Sequence, residues 1–312
     1  MSKQKRLIFT LTGLALLALV TFNIDYVKIA PRRRQGEIRF ARRGYIQGNL
    51  GNRLFAVAST IGIARANGLE PCIEPKLKKD DSLKQFKNIP YCPGEKGNAT
   101  VWDTPVYYGP LKKLGVSDDV SDIETIGYGQ SYRYFEDVQE EVVNAFKLNN
   151  LLQDQSREFM KDYKDSIKVG IHVRRTDMIA FGRLYGGYPK KGFFVNGMRT
   201  MRKKYGPSVK FFVATDDLEW CKQQSFFRTK DVFFIERDAI GDFGILRECD
   251  HMIIGLGTYG WWSAYLGAHQ KGGDVIYFQK DQKNPPKNKH FNAVDFYLPT
   301  WVSVSDYVTQ VK

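Results

Sequence analysis

From Ile167 to Phe278, short apolar runs rich in β-branched and aromatic residues alternate with stretches of helical periodicity. Strands are expected at Val169–Val173, Val209–Ala214, Val232–Ile235, His251–Gly255 and Val275–Phe278. Helices are expected from about Phe193 to Lys204, from Thr215-Asp-Asp217 through Gln223, from Phe243 to Cys249 and from Trp261 to Ala268. Strand and helix in strict turn predict a parallel, doubly wound α/β sheet. In such sheets ligands sit outside the carboxyl ends of the strands.

The N-terminal half is less regular. Ile38 to Ile46 reads as a strand interrupted by arginines, and Gly48-Asn-Leu-Gly-Asn52 as a glycine-rich turn. A helical stripe through Leu54, Phe55, Ala58, Ile61 and Ala64 then closes at Gly68. Leu69 to Ile73 completes a β-α-β unit. Lys76 to Val120 is polar and rich in Pro and Gly, and no element is assigned to it. Val138 to Phe146 and Leu151 to Tyr163 are expected to be helical.

At 312 residues with 43% hydrophobic and 26% charged side chains, the chain can bury one large core or two medium ones. Its net charge of +13 fits nucleic acid, an anionic membrane or a phosphorylated substrate. No basic stretch is interleaved with aromatics and no zinc-finger spacing occurs, which argues against nucleic acid. Lys3, Lys5, Arg6, Lys28 and Arg32–Arg34 flank Leu7 to Ile24, about 18 residues free of charge. Residues 1–6 are therefore expected to form a cytoplasmic tail, 7–24 a single-pass signal anchor and 25–37 a basic stem. The remainder would lie in the secretory lumen. The sequon Asn98-Ala99-Thr100 agrees, as a glycosylation site in a surface loop. Four cysteines allow three pairings, of which Cys72–Cys92 with Cys221–Cys249 keeps each bond within one half; four buried free thiols are the alternative.

The chemistry concentrates at strand ends. Val169-Gly-Ile-His-Val-Arg-Arg-Thr-Asp177 closes an apolar strand on two guanidiniums and a carboxylate, and period two puts His172 and Arg174 on one face. Planar forks there suit phosphate oxygens, although an Arg–Asp pair closing a strand end is the simpler alternative. Gly255-Leu-Gly-Thr-Tyr-Gly260 leads into a helix whose N-terminus favours anions. Trp261 and Trp262 are expected in the core. Asp216 suits a helix cap as well as a functional carboxylate. No D-x-D triplet occurs, so a diphosphate would be neutralised by arginines and backbone donors instead of a divalent ion.

His172-Val-Arg-Arg-Thr-Asp177 resembles the H-x-R-R-x-D motif of the α1,2-fucosyltransferases, glycosyltransferase family 11. In family order come Gly48-Asn-Leu-Gly-Asn-Arg-Leu-Phe55, Gly129-Gln-Ser-Tyr-Arg-Tyr-Phe-Glu136 and Thr215-Asp-Asp-Leu-Glu-Trp-Cys221, each similar to a family block. Glu248-Cys-Asp-His-Met-Ile-Ile254, Gly257-Thr-Tyr-Gly-Trp-Trp-Ser-Ala-Tyr-Leu266 and Pro299-Thr-Trp301 complete the series.

The resemblance implies a GT-B-like fold of two Rossmann-type lobes, 38–165 on the acceptor side and 166–312 binding GDP-fucose. It implies an inverting, metal-independent transferase without cofactor, moving L-fucose from GDP-β-L-fucose to the 2-hydroxyl of a terminal β-galactoside in the Golgi membrane. Arg174 and Arg175 would hold the β-phosphate, with His172 and Asp177 orienting them or Asp177 serving the acceptor. Gly257, Thr258 and Gly260 would meet the diphosphate, and Asp216 and Asp250 the ribose or guanine. Asn52, Arg53 and Glu136 would lie on the acceptor side, Asp177 and Glu136 being candidates for the base. Arg53 stands where the family has Gln, Asn49 where it has Gly or Arg, and Thr176 where it often has Gly. The first two leave the acceptor and linkage open. Another fucosyl linkage, or a membrane-tethered glycan-binding protein without turnover, are the alternatives.

Overall fold

The computed structural model describes residues 38–93, 99–103, 122–181, 187–278 and 292–306. The tail, anchor and stem assigned to 1–37, and Asn98, lie outside them. Among the described residues no helix is long and apolar enough to cross a membrane.

Two parallel sheets organise the chain. The first holds β1 (Phe40–Arg43), β2 (Glu70–Ile73), β3 (Ala99–Asp103) and β4 (Asp122–Ile126), in the order β2-β1-β4-β3. Its arginines are compatible with a strand because each is buried with partners. Arg42 meets Asp122 at 2.6 Å, and Arg43 donates to Thr60 Oγ1 at 3.0 Å and the Gly127 carbonyl at 2.9 Å. Helix α1 (Leu50–Ala66) joins β1 to β2 and begins inside the glycine-rich segment that the sequence assigned to a turn. The disulfide Cys72–Cys92 ties β2 to the segment beyond it.

The second sheet holds β5 (Ile167–Val173), β6 (Val209–Thr215), β7 (Val232–Phe234), β8 (His251–Ile254), β9 (Val275–Phe278) and β10 (Val302–Val304), in the order β10-β9-β8-β5-β6-β7. It is doubly wound, as expected. Val169, Ile171, Val173, Phe211 and Val213 pack against α5 (Lys191–Tyr205) and α6 (Leu218–Gln223), while Phe212, Ala214, Met252 and Ile254 join the core on the other face. That other face is covered by α7 (Ala239–Glu248) and α8 (Thr258–Leu266). Cys221 and Cys249 belong to opposite faces and stay free, so of the two bonds expected together only Cys72–Cys92 forms, and the alternative of four free thiols is not realised either.

Of the remaining helices, α2 (Gln139–Ala145) and α3 (Asn150–Met160) precede β5, α4 (Thr176–Phe181) follows it, and α9 (Ala293–Phe296) lies near the C-terminus. The two sheets share one core. Phe55 of α1 lies 4.7 Å from the Trp261 ring and 5.0 Å from Trp262, and Phe135 stacks on Trp262 at 5.5 Å. Helix α3 precedes β5 in the chain yet packs on α7, where Gly244 leaves room for Ser156 and Leu152. Helix α9 crosses back: Asp295 pairs with Arg133 at 2.6 Å, and Phe296 stacks on Phe55 at 5.8 Å.

Candidate functional site

The strand order reverses between β5 and β8, since β6 and β7 lie to one side of β5 and β8 to β10 to the other. The crevice outside the carboxyl ends of β5 and β8 is where such a sheet binds ligands. A cavity of about 1070 Å³ opens there, between this edge and α1 of the first sheet. Its walls include His172, Arg174, Asp177, Asp216, Thr258, Asn52 and Arg53, which gathers most of the sequence-nominated residues in one place.

Arg174 leaves β5 on the face that carries His172. Its Nε donates to Asp177 Oδ1 at 2.9 Å and its Nη2 to Oδ2, so the fork is held from one side. A Cβ on Gly257 would stand 2.7 Å from Arg174 Nη1, and Gly257 has φ +110°, a conformation that L side chains rarely adopt. The glycine turn and the guanidinium are fitted to each other. His172 is 7% exposed, with Nδ1 buried and unpartnered against Gly260, and burial pushes its pKa down to about 4. The imidazole is neutral at physiological pH.

Two helix N-termini face the same space. Neither α1 nor α8 has a side-chain cap or an acidic residue in its first turn, so their N–H groups and dipoles have no internal anion. They meet closely, because a Cβ on Gly51 would collide with the Thr258–Tyr259 backbone. Asn52 Oδ1 accepts from Thr258 Oγ1 at 2.8 Å and from Gln130 Nε2 at 2.9 Å, bridging the lobes. Arg53 pairs with Asp80 and donates to the Gly48 carbonyl at 2.8 Å.

Four assignments change. Arg175 is not in the cavity. Being adjacent to Arg174, it projects to the opposite face, pairs with Asp217 at 3.1 Å and lies 3.8 Å over the Trp220 ring. Asp216 lines the cavity, but its carboxylate accepts from the Arg175 and Thr176 backbone and from Thr176 Oγ1, so it caps α4. The cap of α6 is Asp217, accepting from Trp220 N at 3.1 Å. Asp250 precedes β8 and bonds Lys168 at the start of β5, at the amino edge of a parallel sheet and away from the cavity. Glu136 is exposed and takes no part in the cavity wall.

The sequence missed Asp242 and Tyr259, and the segment Lys79–Ser82 that forms the N-terminal wall. Asp242 accepts from Arg237 N at 3.2 Å, and burial pushes its carboxyl up to about 7. Tyr259 donates to the Ala239 carbonyl at 2.6 Å and sets its ring 5.0 Å from His172. The available signal for Asp242 was Asp238 four residues earlier, which caps α7 at Gly241 N and so turns Asp242 inward. Among the described residues no group of three or more His, Cys, Asp or Glu side chains could hold a metal ion.

Comparison with known proteins agrees with this geometry. The family model described as Glycosyl transferase family 11 matches residues 118–305. The mouse (Mus musculus) galactoside 2-alpha-L-fucosyltransferase Sec1 is 25% identical over 291 residues, covering 89% of this chain and 77% of that protein. An Arabidopsis thaliana FUT1 variant in complex with GDP shares the fold at a TM-score of 0.54 and 12% identity, over 83% of this chain and 74% of that one. So does the NodZ alpha-1,6-fucosyltransferase co-crystallised with GDP, at a TM-score of 0.51 and 15% identity, over 75% and 93% of the two chains. With the family match spanning most of the chain and the motifs collinear along it, the protein belongs to glycosyl transferase family 11 as a divergent member.

Proposed function

We propose that the protein is an inverting, metal-independent fucosyltransferase that moves L-fucose from GDP-β-L-fucose to the 2-hydroxyl of a terminal β-galactoside. The observation that carries this reading is Arg174, set by Asp177 against the Gly257 turn and flanked by two helix N-termini without acidic first turns. As the glycosidic bond breaks, charge grows on the β-phosphate of departing GDP. A fixed guanidinium and open N–H groups stabilise it without rearranging. Thr258 and the Gly257–Gly260 turn complete that cradle. One guanidinium serves the phosphate, and Arg175 braces the turn from behind.

On the same cavity wall, Asp242 and the His172–Tyr259 rings suit a flat base, the Asp242 carboxyl in its ionised form matching the paired N–H donors of guanine. The N-terminal wall, with Asn52 and the Arg53–Asp80 pair, is the acceptor side. Asp80 and Asp177 are both ion-paired, which disfavours either as a free proton acceptor. The stretch 7–24, free of charge and flanked by basic residues, would hold the chain in the Golgi membrane with residues 38–312 luminal.

The test is a transfer assay with GDP-fucose and a galactoside panel, with and without EDTA, the products mapped by linkage. Chelator-resistant α1,2 product is expected, falling about a hundredfold in Arg174→Ala. Strict dependence on Mn²⁺, or near wild-type turnover in that variant, would remove the reading.

A further inference from the structure

The cavity that suits a diphosphate also holds an aspartate without a cation. Asp177 is paired with Arg174 and Asp217 with Arg175, whereas among the described residues no basic side chain pairs with Asp216. A carboxylate on this wall repels phosphate, so its presence calls for a compensating role.

The hydrogen bonds supply one. Strands β5 and β6 stay in register as far as Val173 and Thr215, so Arg174 and Asp216 leave the sheet side by side. Asp216 then reaches the turn that follows Arg174. Its Oδ1 accepts from Arg175 N at 2.8 Å, and its Oδ2 from Thr176 N at 3.2 Å and Thr176 Oγ1 at 2.6 Å. An ionised carboxylate accepts at both oxygens, whereas an amide in its place would turn N–H groups toward one set of donors. The next residue is Asp177, whose carboxylate holds the Arg174 fork at Nε. Three bonds to one carboxylate thus fix, one peptide away, the group that aims the guanidinium.

We propose that Asp216 is a positioning residue: through the 175–176 backbone and the Thr176 hydroxyl it sets Asp177, and so holds Arg174 where charge develops, without touching the nucleotide itself. The inference rests on the fucosyl-transfer reading for the identity of the reaction step. A displacement of about 1 Å in such a group is enough to cost rate heavily.

The test is a double-mutant cycle on the full chain, with kcat for transfer, GDP affinity by calorimetry and the ³¹P shift of the β-phosphorus of bound GDP as readouts. Asp216→Asn lowers kcat at least about tenfold, while GDP affinity stays within about threefold because a repelling charge has also gone. In an Arg174→Ala background the same change costs kcat less than about twofold, since the residue it serves is absent. The β-phosphorus shift moves in the same direction in Asp216→Asn as in Arg174→Ala. Thr176→Val, the gentler variant should Asp216→Asn fail to fold, loses about threefold or more in kcat, and Thr176→Ser recovers it relative to Thr176→Val. Additive losses in the cycle, a GDP affinity that falls as far as kcat, or a Thr176→Val variant with wild-type kcat and shift each overturn the assignment. If the wild type transfers no fucose while the shift follows this pattern, the positioning role stands and the transfer reading falls.

Discussion

Arg174 and Arg175 are neighbours in sequence and opposites in the fold. The period-two rule that put His172 and Arg174 on one face already assigned Arg175 to the other, where α6 offers Asp217 and Trp220. The motif resemblance, which treats the arginines as a pair, masked that. Arg175→Ala should therefore cost stability, about 1–2 kcal/mol for a half-buried stacked ion pair, while GDP affinity falls far less than in Arg174→Ala. Denaturant melts and GDP titrations of both variants check this.

Asp242 was illegible for a different reason: an aspartate before an apolar helical run looks like a solvated first turn until the cap at Asp238 is seen. Its titration gives a signed prediction. A carboxyl raised to about 7 when folded and near 4 when unfolded keeps its proton longer in the native state. Its contribution to stability is therefore present at acid pH and lost as pH rises from about 4 to about 7. Asp242→Asn should gain on the wild type across that window, read as a widening difference in urea midpoints. His172 acts in the opposite sense, because its depressed pKa makes the folded state lose stability as pH falls from about 6.5 toward 4.

At the scale of elements, the strand–helix rhythm after Ile167 located all the central strands, because each parallel strand is buried on two faces and shows as an unbroken apolar run. Elements whose burial depends on partners far along the chain were harder. Strand β4 mixes Asp122, Glu124 and Thr125 with isoleucine because Asp122 pairs with Arg42. Helix α1 starts at polar, glycine-containing residues because its first turn must approach α8 at Gly51. The Gly257 turn belongs to this scale also. Gly257→Ala forces a β-carbon into an unfavourable backbone conformation and against Arg174, so about 1–3 kcal/mol of stability and at least about tenfold in transfer should go together. Normal turnover in a folded Gly257→Ala would contradict the coupling between turn and guanidinium.

The whole molecule carries a seam that the sequence could not reveal. Phe55 and Phe135 from the first sheet's layer interleave with Trp261 and Trp262 from the second, and α9 returns to bind Arg133. The split into two lobes at 165 came with the family resemblance, which carries no information on how α3 and α9 cross over. A core shared in this way predicts one cooperative calorimetric transition for both sheets, and two separated transitions would count against it.

The shared aromatic seam also limits how the enzyme breathes. Swinging the halves apart like a clamshell would strip Trp261 and Trp262 of their cover, a cost far above thermal energy. The polar 79–82 edge of the cavity is likewise held to α1, by the Arg53–Asp80 bridge. Small-angle scattering should accordingly give the same radius of gyration with and without GDP.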